Sequence, residues 1–252
     1  MTIDAAMVMA AGLGKRMRPL TETRPKPLVE AAGRPLIDYA LERLVQAGVK
    51  RAVVNVHYLA DQIEAHLETR TRPEIVISDE RGELMDTGGG LVKAAPHLGQ
   101  NPILCTNTDA ILADGEAGDA LARLAAAWDD DAMDALLLLC PKDAASGYDG
   151  DGDFLCGDDG GRLRRRPQRG DAPYVFTGWQ ILHPRLWADA PEGPFSTNLL
   201  WNKADAAGRL HGLIHDGFWM HVGSPDGLKE AERRLDALKH TPSGRSANRG
   251  AA

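Results

Sequence analysis

One segment of the chain, residues 9–28, has the residue types of a polyphosphate site. A short apolar run is followed by small residues that let a ligand approach the main chain and by glycines that can adopt positive φ, at Ala10, Ala11, Gly12 and Gly14. Full positive charges come next, at Lys15, Arg16 and Arg18. Pro25 and Pro27 restrict the backbone on both sides of Lys26 and limit where its ammonium group can point. The segment predicts a bound polyphosphate with one lysine held against it.

Two widespread phosphate motifs do not fit this segment. A Walker loop requires GxxxxGK followed by Ser or Thr, and the dinucleotide motif requires a third glycine where this chain has Met17. The glycine pair alone is also compatible with an ordinary strand-to-helix turn whose cations are solvated. The complete string of small residues, cations and prolines favours the phosphate site.

Asp109 is the carboxylate that best suits a metal ion. It follows the apolar residues 103–105, so we expect its side chain at the carboxyl edge of a sheet, where open α/β sheets bind their ligands. Mg²⁺ prefers one or two carboxylates together with phosphate oxygens and water. An aspartate after a strand also often forms a turn or caps a helix. Its place in the chain order, after the glycine segment, favours the metal site.

The elements that must position these residues alternate along the chain. Apolar runs typical of strands and runs at helical spacing predict an α/β fold with a doubly wound, mostly parallel sheet. Strands are predicted at residues 5–9, 52–56, 74–78, 103–107, 135–140 and 174–182. Helices are predicted at residues 37–47, 59–67, 91–95, 117–128 and 228–238.

The domain organisation is predicted to be simple. Residues 1–240 form one domain, and the range 146–182 contains a small annex whose Gly- and Asp-rich part, 146–169, predicts a β-hairpin. The arginines of 162–166 are expected to be a solvated hairpin edge. Residues 241–252 are small and polar enough for a disordered tail.

Composition excludes several classes of protein. The 252 residues are 43% hydrophobic, enough for a sizeable core, and the net charge of −7 argues against a general nucleic-acid surface. No apolar stretch approaches the ~20 residues needed to span a bilayer. Three cysteines without CxxC spacing are expected to be reduced core thiols, at Cys105, Cys140 and Cys156. We therefore expect a cytoplasmic protein without nucleic-acid or membrane partners, as a monomer or small homo-oligomer.

Taken in order, the motifs resemble those of the sugar-1-phosphate nucleotidyltransferases. They are AAGxGxRMRPL with PKPL at residues 10–28, GRPLI at 33–37, VNVHYL at 54–59, DTGGG at 86–90, TNTD at 106–109, FTG at 176–178, and residues 219–225. Together they extend over about residues 5 to 235, and within the family they are most similar to the N-acetylmuramate-1-phosphate uridylyltransferases. The resemblance implies a Rossmann-like fold of the nucleotide-diphospho-sugar transferase type.

The resemblance also implies an activity and the residues that serve it. Uridylate would pass from UTP to N-acetylmuramic acid 1-phosphate by metal-assisted in-line displacement, giving a nucleotide sugar for cell wall recycling and pyrophosphate. The implied catalytic residues are Arg16, Lys26 and Asp109, with Mg²⁺, or Mn²⁺ in its place, on Asp109. The implied nucleotide-binding residues are Ala10, Ala11, Gly12, Gly14, Lys15, Thr87, Gly88, Gly89 and Asn107. The implied sugar-binding residues are Asp153, Thr177, Gly178 and Asn198.

His221 is where the chain departs from the family pattern, which usually has an aspartate there. Imidazole suits Mn²⁺ or Zn²⁺ better than Mg²⁺, so His221 is a candidate ligand for a softer ion, a holder of metal-bound water or a contact to phosphate. The structural alternative is a histidine packed beside Trp219.

The sequence leaves the sugar and the base open. Family members that act on glucose 1-phosphate usually carry Glu-Lys-Pro near the hairpin, whereas this chain has Arg165-Arg166-Pro167, which disfavours glucose. Guanylyl transfer to mannose 1-phosphate and phosphocholine-type cytidylyl transfer are the alternatives to the muramate substrate. A hypothesis of another class is a non-catalytic sensor of nucleotide sugars, since His221 replaces a carboxylate.

Overall fold

The computed structural model describes residues 2–156, 161–167 and 169–240, so the predicted tail at 241–252 lies outside the described residues. The strands are β1 Ala5–Met9, β2 Glu30–Ala31, β3 Arg34–Pro35, β4 Arg51–Val56, β5 Glu74–Asp79, β6 Ile103–Asn107, β7 Ala110–Ala113, β8 Ala135–Pro141, β9 Phe154–Cys156, β10 Leu163–Arg165, β11 Tyr174–Leu182, β12 Leu210–Ile214 and β13 Phe218–His221. The helices are α1 Leu36–Gln46, α2 Ala60–Leu67, α3 Asp86–Leu98, α4 Ala120–Ala127, α5 Asn198–Ala206 and α6 Pro225–His240.

The main sheet confirms the predicted doubly wound, mostly parallel architecture. Its strands lie in the order β12-β8-β11-β6-β1-β4-β5. The pairs β1–β4, β1–β6, β4–β5 and β8–β12 are parallel, and only β11 runs against its neighbours β6 and β8. The carboxyl ends of β1, β4, β5 and β6 therefore share one edge of the sheet, where the predicted site residues follow them.

The predicted hairpin is formed by β9 and β10, which pair antiparallel. It joins the main sheet through the bridge between Phe154 and Tyr174 of β11. Residues 174–182, predicted as part of the annex, are β11 itself and lie in the middle of the main sheet. The annex is therefore shorter than the predicted range, because β11 pairs with β8 of the main sheet at residues 174–176 and 180–182.

Alternating side chains of the central strands enter two cores. Ala6 and Val8 of β1 face the cluster that contains apolar residues of α1, α2 and α4, whereas Met7 faces the cluster with α3 and α5. This is the period of two that a strand covered on both faces requires. Such burial supplies the main driving force for the fold.

A third cluster folds the glycine segment back over the sheet edge. Met17 and Val29, which flank most of the cationic loop, are buried with Ile111 of β7 and Met220 of β13. Because these contacts anchor the loop at both ends, Lys26 between them is brought to the strand junction after β6. The apolar residues of the loop thus position its polar ones.

The helix prediction was wrong at the start of α3. The glycine triplet was expected to precede a helix beginning at Leu91, but α3 begins at Asp86 and includes Gly88, Gly89 and Gly90. Among the described residues, no helix has the length and apolarity that crossing a membrane would require. The three cysteines are free thiols, and burial raises the pKa of Cys105 to about 12.

Candidate active site

A cleft of about 640 Å³, the first cleft, lies over the carboxyl edge of the sheet. Its floor is the glycine turn, residues 10–14, and its walls include Lys15, Arg16, Lys26, Thr87 and Asn107. Gly14 has φ of 62°, and a Cβ there would lie 3.1 Å from the Cβ of Lys26 and from Thr21 Cγ2. Gly14 therefore allows the turn to pack against the lysine. Gly12, where a positive φ was also considered, is not one of the glycines with positive φ.

Lys26 and Asp109 meet at the end of this cleft. Lys26 Nζ donates a hydrogen bond to Asp109 Oδ2 at 2.8 Å, and the two side chains are 13% and 22% exposed. Burial acts to raise the pKa of Asp109, but the charge and hydrogen bond of Lys26 and the influence of His221 outweigh it. The pKa of Asp109 therefore lies below its ordinary value, and the carboxylate is ionised at neutral pH.

Two buried polar residues, Asn55 and Glu80, support the glycine turn. Ala10 N donates to Asn55 Oδ1 at 2.7 Å, and Asn55 Nδ2 donates to Glu80 Oε1 at 2.8 Å. Glu80 is fully buried and also accepts from Met85 N at 3.1 Å. Ala10, a predicted nucleotide-binding residue, lines the cleft, but its N–H donates to Asn55 and is therefore not available to a phosphate.

The sequence analysis gave Glu80 no role and included Asn55 only as part of the VNVHYL motif at residues 54–59. Glu80 follows β5, and Asn55 is the penultimate residue of the neighbouring parallel strand β4, so both lie at the carboxyl edge of the sheet, which was the available signal. Asp86 and Leu84, also without an assigned role, line the first cleft as well. Asp86 has φ of 57°, a left-handed conformation that L-residues adopt at a cost.

Gly88 and Gly89 do not line the first cleft, contrary to their assignment to the nucleotide. Both amides donate to Phe195 O, at 2.8 and 3.0 Å. A Cβ on Gly88 would lie 2.3 Å from the Phe195 ring, and one on Gly89 would lie 2.4 Å from Gly193 O. These glycines are required because the loop before α5 packs against α3. Thr87 does line the cleft, and its hydroxyl accepts from Thr197 N at 2.9 Å.

A second cleft of about 320 Å³ adjoins the first. The two share Arg16, Asn107 and Asp109, which we call the shared wall. The second cleft is lined further by residues of the annex, β11 and β13, including Tyr148, Asp149, Asp153, Phe176 and His221. A ligand in each cleft would therefore approach the other at the Lys26–Asp109 pair.

The predicted sugar residues divide between this cleft and its surroundings. Asp153, Thr177 and Gly178 line the second cleft. The Thr177 hydroxyl donates to Leu138 O at 2.8 Å, so its proton is used within the sheet, and Asp153 Oδ2 accepts from Phe176 N at 2.9 Å. Gly178 has φ of 89°, and a Cβ there would lie 3.3 Å from the Cβ of Asn107.

Asn198 lies outside the lining of both clefts, at the first residue of α5. Its Oδ1 accepts from Arg165 Nη1 at 2.7 Å. The expected solvated arginine edge is also only partly right. Arg164 is exposed, but Arg165 and Arg166 are half-buried, because side chains alternate across β10 and the next turn folds back onto the hairpin.

His221 lies beside Asp109 because β13 pairs with β7. His221 is opposite Ala110, and Val222 N donates to Asp109 O at 2.7 Å. The imidazole stacks on Trp219 with 6.0 Å between ring centroids. Burial lowers the pKa of His221 below its ordinary value; Asp109 opposes this change, whereas Lys26 and Arg16 add to it. His221 therefore packs on Trp219 and also faces the second cleft as a neutral imidazole.

Asp109 and His221 could bind a metal ion only if a bound substrate and water supplied the remaining ligands. Among residues 2–156, 161–167 and 169–240, no group of three or more His, Cys, Asp or Glu side chains converges on one point. Asp109 supplies a carboxylate and His221 a neutral nitrogen. These residues fit a divalent ion whose remaining ligands are phosphate oxygens and water.

Known proteins are similar to this chain in sequence and in fold. Residues 5–150 match the family model described as Nucleotidyl transferase. The chain is 48% identical over 235 residues to N-acetylmuramate alpha-1-phosphate uridylyltransferase of Caulobacter vibrioides, covering 91% of this chain and 96% of that protein. The protein of the same name from Neisseria meningitidis is 34% identical over 238 residues, covering 93% of this chain and 99% of that protein.

A solved structure extends the agreement to the fold. The inositol-1-phosphate CTP transferase from T. maritima superposes with a TM-score of 0.73, covering 96% of this chain and 99% of that chain at 18% identity. The family model matches more than half of the chain, and two relatives exceed 30% identity over nearly its whole length. The protein therefore belongs to the nucleotidyl transferase family and is an enzyme of that family.

Proposed function

We propose that the protein transfers uridylate from UTP to N-acetylmuramate 1-phosphate and releases pyrophosphate. The main support is the shared wall, where a triphosphate above the glycine turn and a sugar phosphate in the second cleft would meet beside Lys26 and Asp109. The choice of uracil and muramate is supported by the relatives from C. vibrioides and N. meningitidis, which bear that activity in their names.

The chemistry needs positioning and charge neutralisation. An oxygen of the sugar phosphate forms a bond to the α-phosphorus of UTP while the bond from that phosphorus to its bridging oxygen breaks, and pyrophosphate leaves with the electron pair. The attacking phosphate is already ionised, so no residue has to remove a proton. Lys26 neutralises charge between the α-phosphate and the incoming phosphate, and Arg16 neutralises charge on the β- and γ-phosphates.

A divalent ion, Mg²⁺ with Mn²⁺ as the alternative, would neutralise phosphate charge when bound. Asp109 is the residue we assign to hold it, with His221 as a neighbouring neutral donor. Lys26 lies beside this site, because its ammonium group donates directly to Asp109. Three free cysteines and a UTP-consuming reaction support a cytoplasmic location.

A substrate panel tests this function. UTP, GTP, CTP and ATP are each combined with N-acetylmuramate 1-phosphate, N-acetylglucosamine 1-phosphate, mannose 1-phosphate and phosphocholine, with Mg²⁺ or Mn²⁺, and pyrophosphate is measured. We expect the highest kcat/KM for UTP with the muramate, and the Asp109→Asn variant sets the background. A preference for GTP with mannose 1-phosphate, or for CTP with phosphocholine, would replace the proposed substrates. Nucleotide-sugar binding without pyrophosphate release from any pair would indicate a sensor.

A further inference from the structure

Arg165 is a cation close to the second cleft, although it is not one of the residues that line this cleft. It pairs with Phe154 across the hairpin, and its guanidinium carbon lies 5.3 Å from the Phe154 ring centroid and 5.4 Å from that of Trp201. Phe176, which lines the second cleft, packs edge-on against Trp201 with 4.9 Å between ring centroids. The Trp201 ring therefore connects the guanidinium of Arg165 to Phe176 in the wall of the cleft.

The positive charge of Arg165 is not neutralised by a salt bridge within the described part of the chain. Its hydrogen bond is to the neutral amide of Asn198, at 2.7 Å. Burial lowers the pKa of Arg165, while the more distant Asp153 and Asp205 act in the opposite direction. A partly desolvated guanidinium with donors left over is the group that best matches a carboxylate, because it can bind both oxygens at once.

The neighbouring arginines have different surroundings. Arg166 donates to Gly152 O and Gly170 O, each at 2.9 Å, and so holds the hairpin to its own loop. Arg164 lies on the opposite, exposed face of β10. Of these three, Arg165 alone lies against Phe154 and Trp201, and Trp201 in turn packs on Phe176 of the second cleft.

An acidic sugar in the second cleft would require a nearby cation to neutralise its carboxylate. N-acetylmuramate differs from N-acetylglucosamine by a lactyl ether that ends in a carboxylate. The wall of the second cleft already carries Asp149 and Asp153, which would repel that carboxylate. Arg16, in the shared wall, lies where the phosphates are proposed to bind.

We propose that Arg165 binds the carboxylate of an acidic sugar phosphate, the lactyl group of N-acetylmuramate 1-phosphate, and thereby selects it over the neutral sugar. Asn198 is the positioning residue, since it holds one end of the guanidinium. This role rests on the function proposed above and gives the second cleft a determinant of specificity.

The test compares Arg165→Gln with wild type and with Arg164→Gln, which removes the same charge from the other face of the same strand. For each protein we would measure KM and kcat with N-acetylmuramate 1-phosphate and with the same compound carrying its lactyl carboxylate as the amide. Calorimetric binding of both compounds, without UTP, is measured in parallel, and thermal melting checks the fold. Loss of a charge-assisted hydrogen bond should raise KM and Kd for the acid by about 10- to 100-fold in Arg165→Gln. The KM for UTP, and both constants for the amide, should change little.

The outcomes separate the two proposals. If wild type releases pyrophosphate with the muramate and Arg165→Gln keeps the wild-type KM and Kd, the role of Arg165 is overturned and the function stands. If wild type shows no turnover but binds the acid more tightly than the amide through Arg165, the function fails and the carboxylate site stands. Equal weakening of acid and amide would mean that Arg165 only supports the hairpin. Arg165→Lys should recover part of the acid preference, because it restores the charge without the planar fork.

Discussion

Lys26 Nζ lies 2.8 Å from Asp109 Oδ2, although 83 positions of the chain separate the two residues. A lysine so placed has one anionic partner before substrates arrive and gains phosphate partners afterwards. Interactions that strengthen as charge develops on the phosphates lower the barrier, whereas the pair with Asp109 alone does not. The value of Lys26 to the reaction therefore lies in its position between the carboxylate and the phosphates.

Replacement of Lys26 by Met should lower kcat/KM by about 10²-fold or more, the scale of losing one preorganised transition-state donor. Pyrophosphate release at saturating UTP and sugar phosphate measures this. Lys50→Met is the matched control, because Lys50 is 74% exposed and precedes β4 at the opposite edge of the sheet. Near-wild-type activity of the Lys26 variant would remove it from the catalytic group.

His215 is a second buried residue whose charge state matters, here for stability. It is 1% exposed, and its Nε2 is 3.1 Å from Ala113 O and 3.4 Å from Phe218 O, while its Nδ1 has no partner among the described residues. Burial lowers its pKa below the ordinary value, although contacts with the two carbonyls and the charges of Asp216 and Asp114 oppose this. The neutral ring is favoured because a proton on Nδ1 would be buried without an acceptor.

The unfolded chain binds a proton at His215 more readily than the folded chain does. The free energy of unfolding should therefore fall as the pH drops below about 6.5. One such group contributes a slope of at most about 1.4 kcal/mol per pH unit. His215→Gln should be less stable at pH 8 but should show a shallower loss of stability between pH 7 and 5. Urea unfolding across this range measures the slopes, and parallel curves for the two proteins would contradict the assignment.

At the scale of elements, hydrogen bonds join α3 to the loop before α5, next to Thr87 in the wall of the first cleft. The amides of Gly88 and Gly89 both donate to Phe195 O, and the hydroxyl of Thr87 in the same helix accepts from Thr197 N. The sequence motif DTGGG therefore joins two elements more than 100 positions apart, with Thr87 left facing the cleft.

Gly88→Ala should destabilise the protein by about 1–3 kcal/mol, the usual cost of overpacking, because the new Cβ would lie 2.3 Å from the Phe195 ring. Gly82→Ala is the control, since a Cβ there meets nothing within 4 Å. We expect its effect to be within about 0.5 kcal/mol. Chemical denaturation gives both values, and equal stability of the two variants would refute the packing role.

For the whole molecule, folding and metal binding should be separable. The core consists of three apolar clusters, and the described residues contain no group of three or more metal-ligating side chains. We expect EDTA to abolish pyrophosphate release but to leave the melting temperature of the free protein unchanged.

UTP with Mg²⁺, at 100 times its Kd, should stabilise the folded state by about 2.7 kcal/mol. For a chain of this size, that corresponds to a rise in melting temperature of about 5–10 °C. Differential scanning fluorimetry with UTP, with and without EDTA, tests both statements. A drop in melting temperature with EDTA alone would indicate a structural ion.

The sequence by itself determined six of the seven strands of the main sheet, all except β12, and the location of the glycine turn, Lys26 and Asp109, because apolar periodicity, glycine and proline act over a few residues. The tertiary structure decided which polar groups remain available to a ligand. It assigned the amides of Ala10 and Gly88 to internal partners and placed Arg165 beside aromatic rings. These contacts join segments far apart in the chain, and local patterns do not encode the facing partner.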